Sequence, residues 1–543
     1  MIRLSIGFLL FSLLISCQEK NNEKVEKKTP KRGGIYGSCF RFSVPTTIHR
    51  FFPYSSASLY EQQLASLCFE PLFKVNEYGS YEGVVASNYI FIPDSSLLRI
   101  SIKKNVRFHD HPVFQNKPHF VSVEDVAFSI AFGCSSNPNN LFSSLFKNKI
   151  FGAETFYKKT IKKPLQFDAF EGIRVLNDST VDLKLLCGAE QALALLSNTS
   201  ISILSFYAFS SLSEKDFLTS AIGTGPFQKP QFTKNRVSLY RNPLYYCQDE
   251  SGNQLPFFDS VIVSFNVNQI QAFEQGNIDL IQNVTSKDLE TLFGTLEKAQ
   301  MGQNLPHKTH IVKNNELCFL VFNESHPPFN SVLTRKTVAL SLNRNLLVDN
   351  INEGLVPLFG FYQDTVIESP DAVVRQVNSV FPLGFVFSPK KTYKDSLLND
   401  LIYNQIKAVV SNLNFQIPMA IDSLFSSFPS KTMSIFKLHW VPESSNNNGF
   451  LDLFYSQSDF AKLFGIVDRD FDQLYIETIK SDNLELKRQM AEKILLEKQH
   501  FVPLYSSDMI FISNLELRNF KITSSGLFDL AKVFKKPVMS LVD

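Results

Sequence analysis

Tryptophan occurs once in the 543 residues, at position 440, and only one apolar run stands out, the 13 residues 4–16. A single run of that length leaves no room for a multispanning membrane protein. Neither sign of charge is in excess. The 54 Lys and Arg face 52 Asp and Glu, a formal balance of +2, which argues against a nucleic-acid binder with its concentrated basic face. Cysteine is sparse and unpatterned: after Cys17, the six others (Cys39, Cys68, Cys134, Cys187, Cys247 and Cys318) stand singly. At most one disulfide is expected, and Cys187 and Cys318, inside the apolar runs LKLLCG and ELCFLVF, read as buried free thiols. Catalytic signatures are missing too. There is no His-Glu-x-x-His, Gly-x-Ser-x-Gly, Cys-x-x-Cys or Gly-x-Gly-x-x-Gly, so nothing points to an enzyme, a cofactor or a metal. No repeat of 20–50 residues is present, which sets aside solenoids and propellers.

What is there begins with 44% hydrophobic residues and 52 Phe, enough to bury more than one sizeable core and to exclude a disordered chain. Arg3, the apolar run and the segment Leu14-Ile15-Ser16-Cys17 form a leader too short to span a bilayer. It resembles the bacterial lipoprotein signal, which implies that Cys17 is acylated and anchors the chain to a membrane surface. Residues 18–32 carry six basic and three acidic residues and no aromatic; such a segment buries nothing and reads as a solvated tether. With leader and tether removed, the body is slightly acidic, at −2.

Along the body, strand-like runs at 97–102, 180–185, 236–240, 260–265 and 318–322 alternate with helical spacing at 123–132, 269–275, 334–350 and 470–498. This mix indicates an α/β or α+β body. Ser122-Val123-Glu124-Asp125 opens a helical run as a capping box. Gly223-Thr224-Gly225-Pro226 reads as a turn flanking a strand, without the Lys of a phosphate loop. His109-Asp110-His111 offers only a partial ligand set and reads as a surface turn.

Five segments in order resemble bacterial solute-binding protein family 5, the extracytoplasmic receptors of ABC importers. They are Gly33-Gly34-Ile35; Val106-Arg107-Phe108-His109-Asp110 leading to Glu124-Asp125-Val126; Gly223-Thr224-Gly225-Pro226-Phe227 with Arg241-Asn242-Pro243; Pro327-Pro328-Phe329 with Arg335 and Asn343-Arg344; and Phe471-Asp472 with Pro503-Leu504-Tyr505. His111 stands where the family has Gly, and Asn343 where it has Asp.

The resemblance implies a two-lobed periplasmic-binding-protein fold of the class II, cluster C type, with an extra subdomain on the N-terminal lobe. By that pattern residues 1–16 are the signal peptide and 17–32 the tether. The N-terminal lobe takes 33–57, 168–277 and 499–543, the extra subdomain 58–167, and the second lobe 278–498. The resemblance also implies a monomeric, exported, lipid-anchored protein on the periplasmic or extracellular face. It would capture a peptide or other small solute between its lobes and present it to an ABC permease, with no nucleic-acid partner. Peptide binders of the family carry Trp-x-x-Asp, whose Asp meets the ligand ammonium. Trp440-Val441-Pro442-Glu443 keeps those offsets with Glu443 as the acid, and a carboxylate of that kind suits a desolvated ammonium. Tyr362 and His49 lie in segments that border the cleft in relatives. The open alternatives are a non-peptide ligand (nickel, an oligosaccharide or another amine) and a non-transport lipoprotein receptor or hydrolase.

Overall fold

A computed structural model describes residues 35–49, 52–56, 58–76, 79–162, 170–284, 288, 291–292, 307–349, 355–361, 376–387, 393–419, 432–441, 449–479 and 484–536. Local chemistry accounts for many element ends. The helix Val123–Gly133 starts on the capping box: Asp125 N–H donates to Ser122 Oγ (3.2 Å) and Ser122 N–H to Asp125 Oδ2 (2.8 Å). The other Asp125 oxygen accepts Phe206 N–H at 2.8 Å, so one carboxylate also pins a second segment. Where spacing predicts one helix over 334–350, the structure has two, Val332–Ser341 and Arg344–Asp349. Leu342 adopts an extended conformation and the Asn343 side chain accepts Leu346 N–H at 3.0 Å, restarting the helix. The predicted run over 470–498 is likewise two helices, Arg469–Ile479 and Leu484–Glu497.

The turn 223–226 is held by close backbone approach. A Cβ at Gly223 would stand 2.0 Å from the Cys68 carbonyl oxygen, and one at Gly225 would stand 2.7 Å from the Cys68 carbonyl carbon. Only glycine permits this contact. His109, expected on the surface, is instead buried beneath this turn: Nε2 donates to Gly225 O at 2.9 Å and Nδ1 accepts Gly223 N–H at 3.3 Å. A neutral ring satisfied by backbone on both nitrogens is a core histidine.

Among the described residues the main sheet has eleven strands, one of them the short Leu355–Pro357, which pairs only with Phe501–Asn514. At one end are Phe227–Phe232, Arg236–Arg241, Ser260–Phe265, Cys39–Val44 and the short Leu280–Ile281; at the other are Met433–Trp440, Leu383–Phe387 and Leu413–Pro418. Two long antiparallel strands, His307–Phe322 and Phe501–Asn514, join the ends. Their 307–312 and 509–514 halves lie on the side of Leu280–Ile281, and their 316–321 and 501–507 halves on the side of Met433–Trp440. The register slips between Val312 and Glu316. A separate four-stranded sheet pairs Ala86–Ile92, Leu97–Ile102, Thr180–Lys184 and Ile173–Asn177. Apolar residues from Phe40 through Val533 form the largest core, and a second core gathers Cys318, Leu320, Phe322, Leu383, Phe385, Ile402 and Ile435.

Candidate functional site

Alternation along Met433–Trp440 puts Phe436, Leu438 and Trp440 on one face and Ile435, Lys437 and His439 on the other. On the first face Trp440 lies opposite Leu317. Its ring is 5.5 Å from Phe450 and 6.3 Å from Phe361, both at steep angles. Phe361 stacks on Phe501 at 5.3 Å, and Phe450 and Phe501 are fully buried. Trp440 itself is half-buried. The ring therefore packs on phenylalanines without being fully enclosed. His49 is exposed, just beyond Thr47, whose hydroxyl accepts from Asn266 Nδ2 at 2.9 Å. Glu443, Tyr362 and Cys17 lie outside the described residues. Of the four predicted ligand contacts, the structure thus describes Trp440 and His49, on separate segments of the chain.

Two polar networks leave no signal in the sequence. The first bridges distant segments: Lys149 pairs with Asp452, whose other oxygen accepts Tyr475 O–H at 2.6 Å, and Asn148 Nδ2 donates to Tyr475 Oη at 2.8 Å. Lys147 pairs with Asp459 at 2.9 Å and Arg488 with Glu190 at 3.8 Å. Lys149 and Asp452 are 7% and 12% exposed, so this pair is largely shielded from water.

The second network sits where the chain enters the long strand at 501. Arg335, 2% exposed, pairs with Glu324 at 3.1 Å and donates to the carbonyls of Phe329 (2.7 Å), Lys498 (2.7 Å) and Gln499 (3.0 Å). His500 lies between Glu324 (2.8 Å) and Asp468 (3.1 Å), and Lys498 pairs with Asp468 (2.7 Å) and Asp470 (2.9 Å). Burial opposes charging His500, but hydrogen bonds to Asp468 and Glu324 outweigh it and raise the imidazole pKa above its usual value. Asp468 is held well below the carboxylate range: burial works against its charge, and His500 and Lys498 overcome it.

The sign of the pH effect follows. A raised histidine pKa gives stability that is complete below the unfolded value of about 6.5 and is lost as pH climbs through the folded value. The Asp468 contribution is lost only in strong acid. The melting temperature is expected to fall between pH 6 and pH 9, and His500→Gln should flatten that slope. A melting series across this range that shows the same slope in both proteins would refute the assignment.

The architecture is the mixed α/β fold of two-lobed binding proteins. A sequence profile described as bacterial extracellular solute-binding proteins, family 5, middle region, matches residues 82–376, more than half of the chain, and the chain belongs to that family. The chain is 21% identical over 502 residues to the oligopeptide-binding protein OppA of Bacillus subtilis, covering 84% of this chain and 85% of that one. Against the periplasmic oligopeptide-binding protein OppA of Escherichia coli the match is 26% over 196 residues, spanning 35% of this chain and 34% of the relative. Among solved structures, the dipeptide-binding protein of Pseudoalteromonas sp. SM9913 in complex with Met-Leu superposes with a TM-score of 0.71 at 14% identity, over 92% of this chain and 100% of that one. At that identity the likeness is one of fold.

Proposed function

We propose that the protein is the lipid-anchored, monomeric substrate-binding component of an ABC importer, capturing a peptide between its lobes by closure and presenting it to a membrane permease. The observation that carries the reading is the pair of long strands joining the two ends of the main sheet, with the half-open Trp440 on the strand beside them. A slipped register at 312–316 is the kind of irregular spot at which a hinge absorbs backbone rotation. Ligand favours the closed state by its differential contacts, and no covalent chemistry is required. Relatives named for oligopeptides and for a dipeptide support peptides as the ligand class. Trp440 and Glu443 are assigned to the ligand, Glu443 to its ammonium, with Tyr362 and His49 at the cleft border and Cys17 as the acylated anchor.

The lobes are drawn at 33–57, 185–277 and 499–543 for the first and 278–498 for the second. The extra subdomain, expected to end at 167, is drawn on to 184, because Thr180–Lys184 pairs with Leu97–Ile102 and Ile173–Asn177 pairs in turn with Thr180–Lys184.

Adding a pool of di- to hexapeptides is expected to raise the melting temperature, since ligand at 100 times Kd stabilises by about 2.7 kcal/mol, and to shift the emission of Trp440, the sole tryptophan. Peptides should be recovered intact. Unchanged melting and emission would contradict a peptide ligand, and recovered fragments would contradict a receptor.

A further inference from the structure

On the face of the sheet opposite the Trp440 ring, three neighbouring strands line up a cysteine, a histidine and a tyrosine. Cys318 stands across from His439 on one side and Tyr505 on the other. His439 Nε2 is 3.8 Å from Cys318 Sγ, and its Nδ1 is 3.3 Å from Glu316 Oε1, close enough for charge pairing though out of line for a hydrogen bond. Cys318 is fully buried, while the side chains of His439 and Glu316 are 15% and 29% exposed, so the row runs from the second core outward to solvent. Nucleophile, base and orienting carboxylate in that order form the arrangement that activates a thiol.

The other five described cysteines make the contrast. Burial raises the pKa of Cys39, Cys68, Cys134, Cys187 and Cys247. Burial also acts on Cys318, but the charges of His439 and Lys437 and the hydrogen bonds from His439 and Tyr505 outweigh it and bring the thiol below its ordinary value. For His439, burial is outweighed by Cys318 and Glu316, and the imidazole rises. Thiolate and imidazolium stabilise each other.

We propose that Cys318 is a site of oxidation by small hydroperoxides, with His439 as the proton donor and Glu316 as the residue that positions it. The thiolate sulfur attacks one peroxide oxygen, the S–O bond forms and the O–O bond breaks. The departing hydroxide takes the imidazolium proton of His439 and leaves as water. Sulfur is oxidised by two electrons to sulfenic acid and the peroxide is reduced. Hydrogen peroxide is little larger than water, which suits a thiol closed to bulky reagents. The added oxygen enters a packed core one residue along the strand from Leu317, which faces Trp440, so the modification should be felt at the ligand wall.

The test uses the full-length protein and hydrogen peroxide, quenched with catalase and trapped by dimedone in denaturant, with each cysteine followed by peptide mapping. Cys318 should be sulfenylated at least tenfold faster than any of the other five. Its rate should fall far less between pH 8 and pH 6 than the roughly 100-fold loss of an ordinary thiol. Trp440 emission should shift on oxidation in the wild type and not in Cys318→Ser. His439→Asn should abolish the preference; if that variant does not fold, the wild-type pH profile decides. Labelling of Cys318 no faster than that of Cys68 or Cys134, or a rate that falls tenfold per pH unit, would overturn the proposal.

Discussion

Arg335→Ala is expected to lower the unfolding free energy by about 3–5 kcal/mol, the range for removing one partner of a buried ion pair. The guanidinium is 2% exposed and bonds Glu324 and three main-chain carbonyls, two of which, at 498 and 499, lie just past the helix Leu484–Glu497. Its loss leaves Glu324 with His500 as its remaining partner and takes the guanidinium donors from the carbonyls at 498 and 499, a further cost in a buried site. Arg335→Lys should recover only part of the loss, because an ammonium cannot reproduce the planar fork that reaches several acceptors at once. Urea unfolding followed by circular dichroism measures both. A loss below about 1 kcal/mol for the alanine variant would mean that the network is not a keystone of this part of the molecule.

Asp452→Ala is the second large effect, and its value lies in where the cost appears. The substitution leaves Lys149 buried without its anion and Tyr475 without its acceptor, again worth about 3 kcal/mol or more. Lys149 falls in the proposed subdomain and Asp452 in the proposed second lobe, so the contact exists only when these bodies are together. The cost should therefore fall on the closed, liganded form. Peptide affinity is expected to weaken by about 100-fold, at 1.4 kcal/mol per factor of ten, while the melting temperature of the ligand-free protein changes by no more than a few degrees. Calorimetric titration beside a melting scan distinguishes the alternatives. Unchanged affinity with a large fall in ligand-free stability would show a permanent contact rather than one made on closure.

Features carried by neighbours in sequence are legible from the amino acids alone. The capping box at Ser122 and Asp125 and the strands at 97–102 and 260–265 rest on contacts within a few residues or on simple alternation. The long strand His307–Phe322 shows only its apolar end at 318–322; its first half, HKTHIVKNNE, has no such run, so alternation does not reveal it. His109 reads as surface because its partners, Gly223 and Gly225, lie more than a hundred residues away. The candidate site divides in the same way. Trp440 and Glu443 stand out through the resemblance of Trp440-Val441-Pro442-Glu443 to the family's Trp-x-x-Asp. The Lys149–Asp452 pair and the Cys318–His439 pair are separated by 303 and 121 residues and come into view only through strand register and packing. Cys318 inside ELCFLVF has every local mark of an inert core thiol, and only the neighbouring strand supplies its histidine.

Occupation of the space between the lobes by a peptide underlies the whole proposed mechanism, and native mass spectrometry of the purified full-length protein probes it without intermediaries. With a peptide pool present during preparation, a one-to-one complex is expected, whose released ligand fragments as an unmodified peptide and whose signal weakens in Trp440→Ala. A released species without amide fragmentation, such as a metal ion or a sugar, or a protein that retains no mass from the pool, would rule that occupation out.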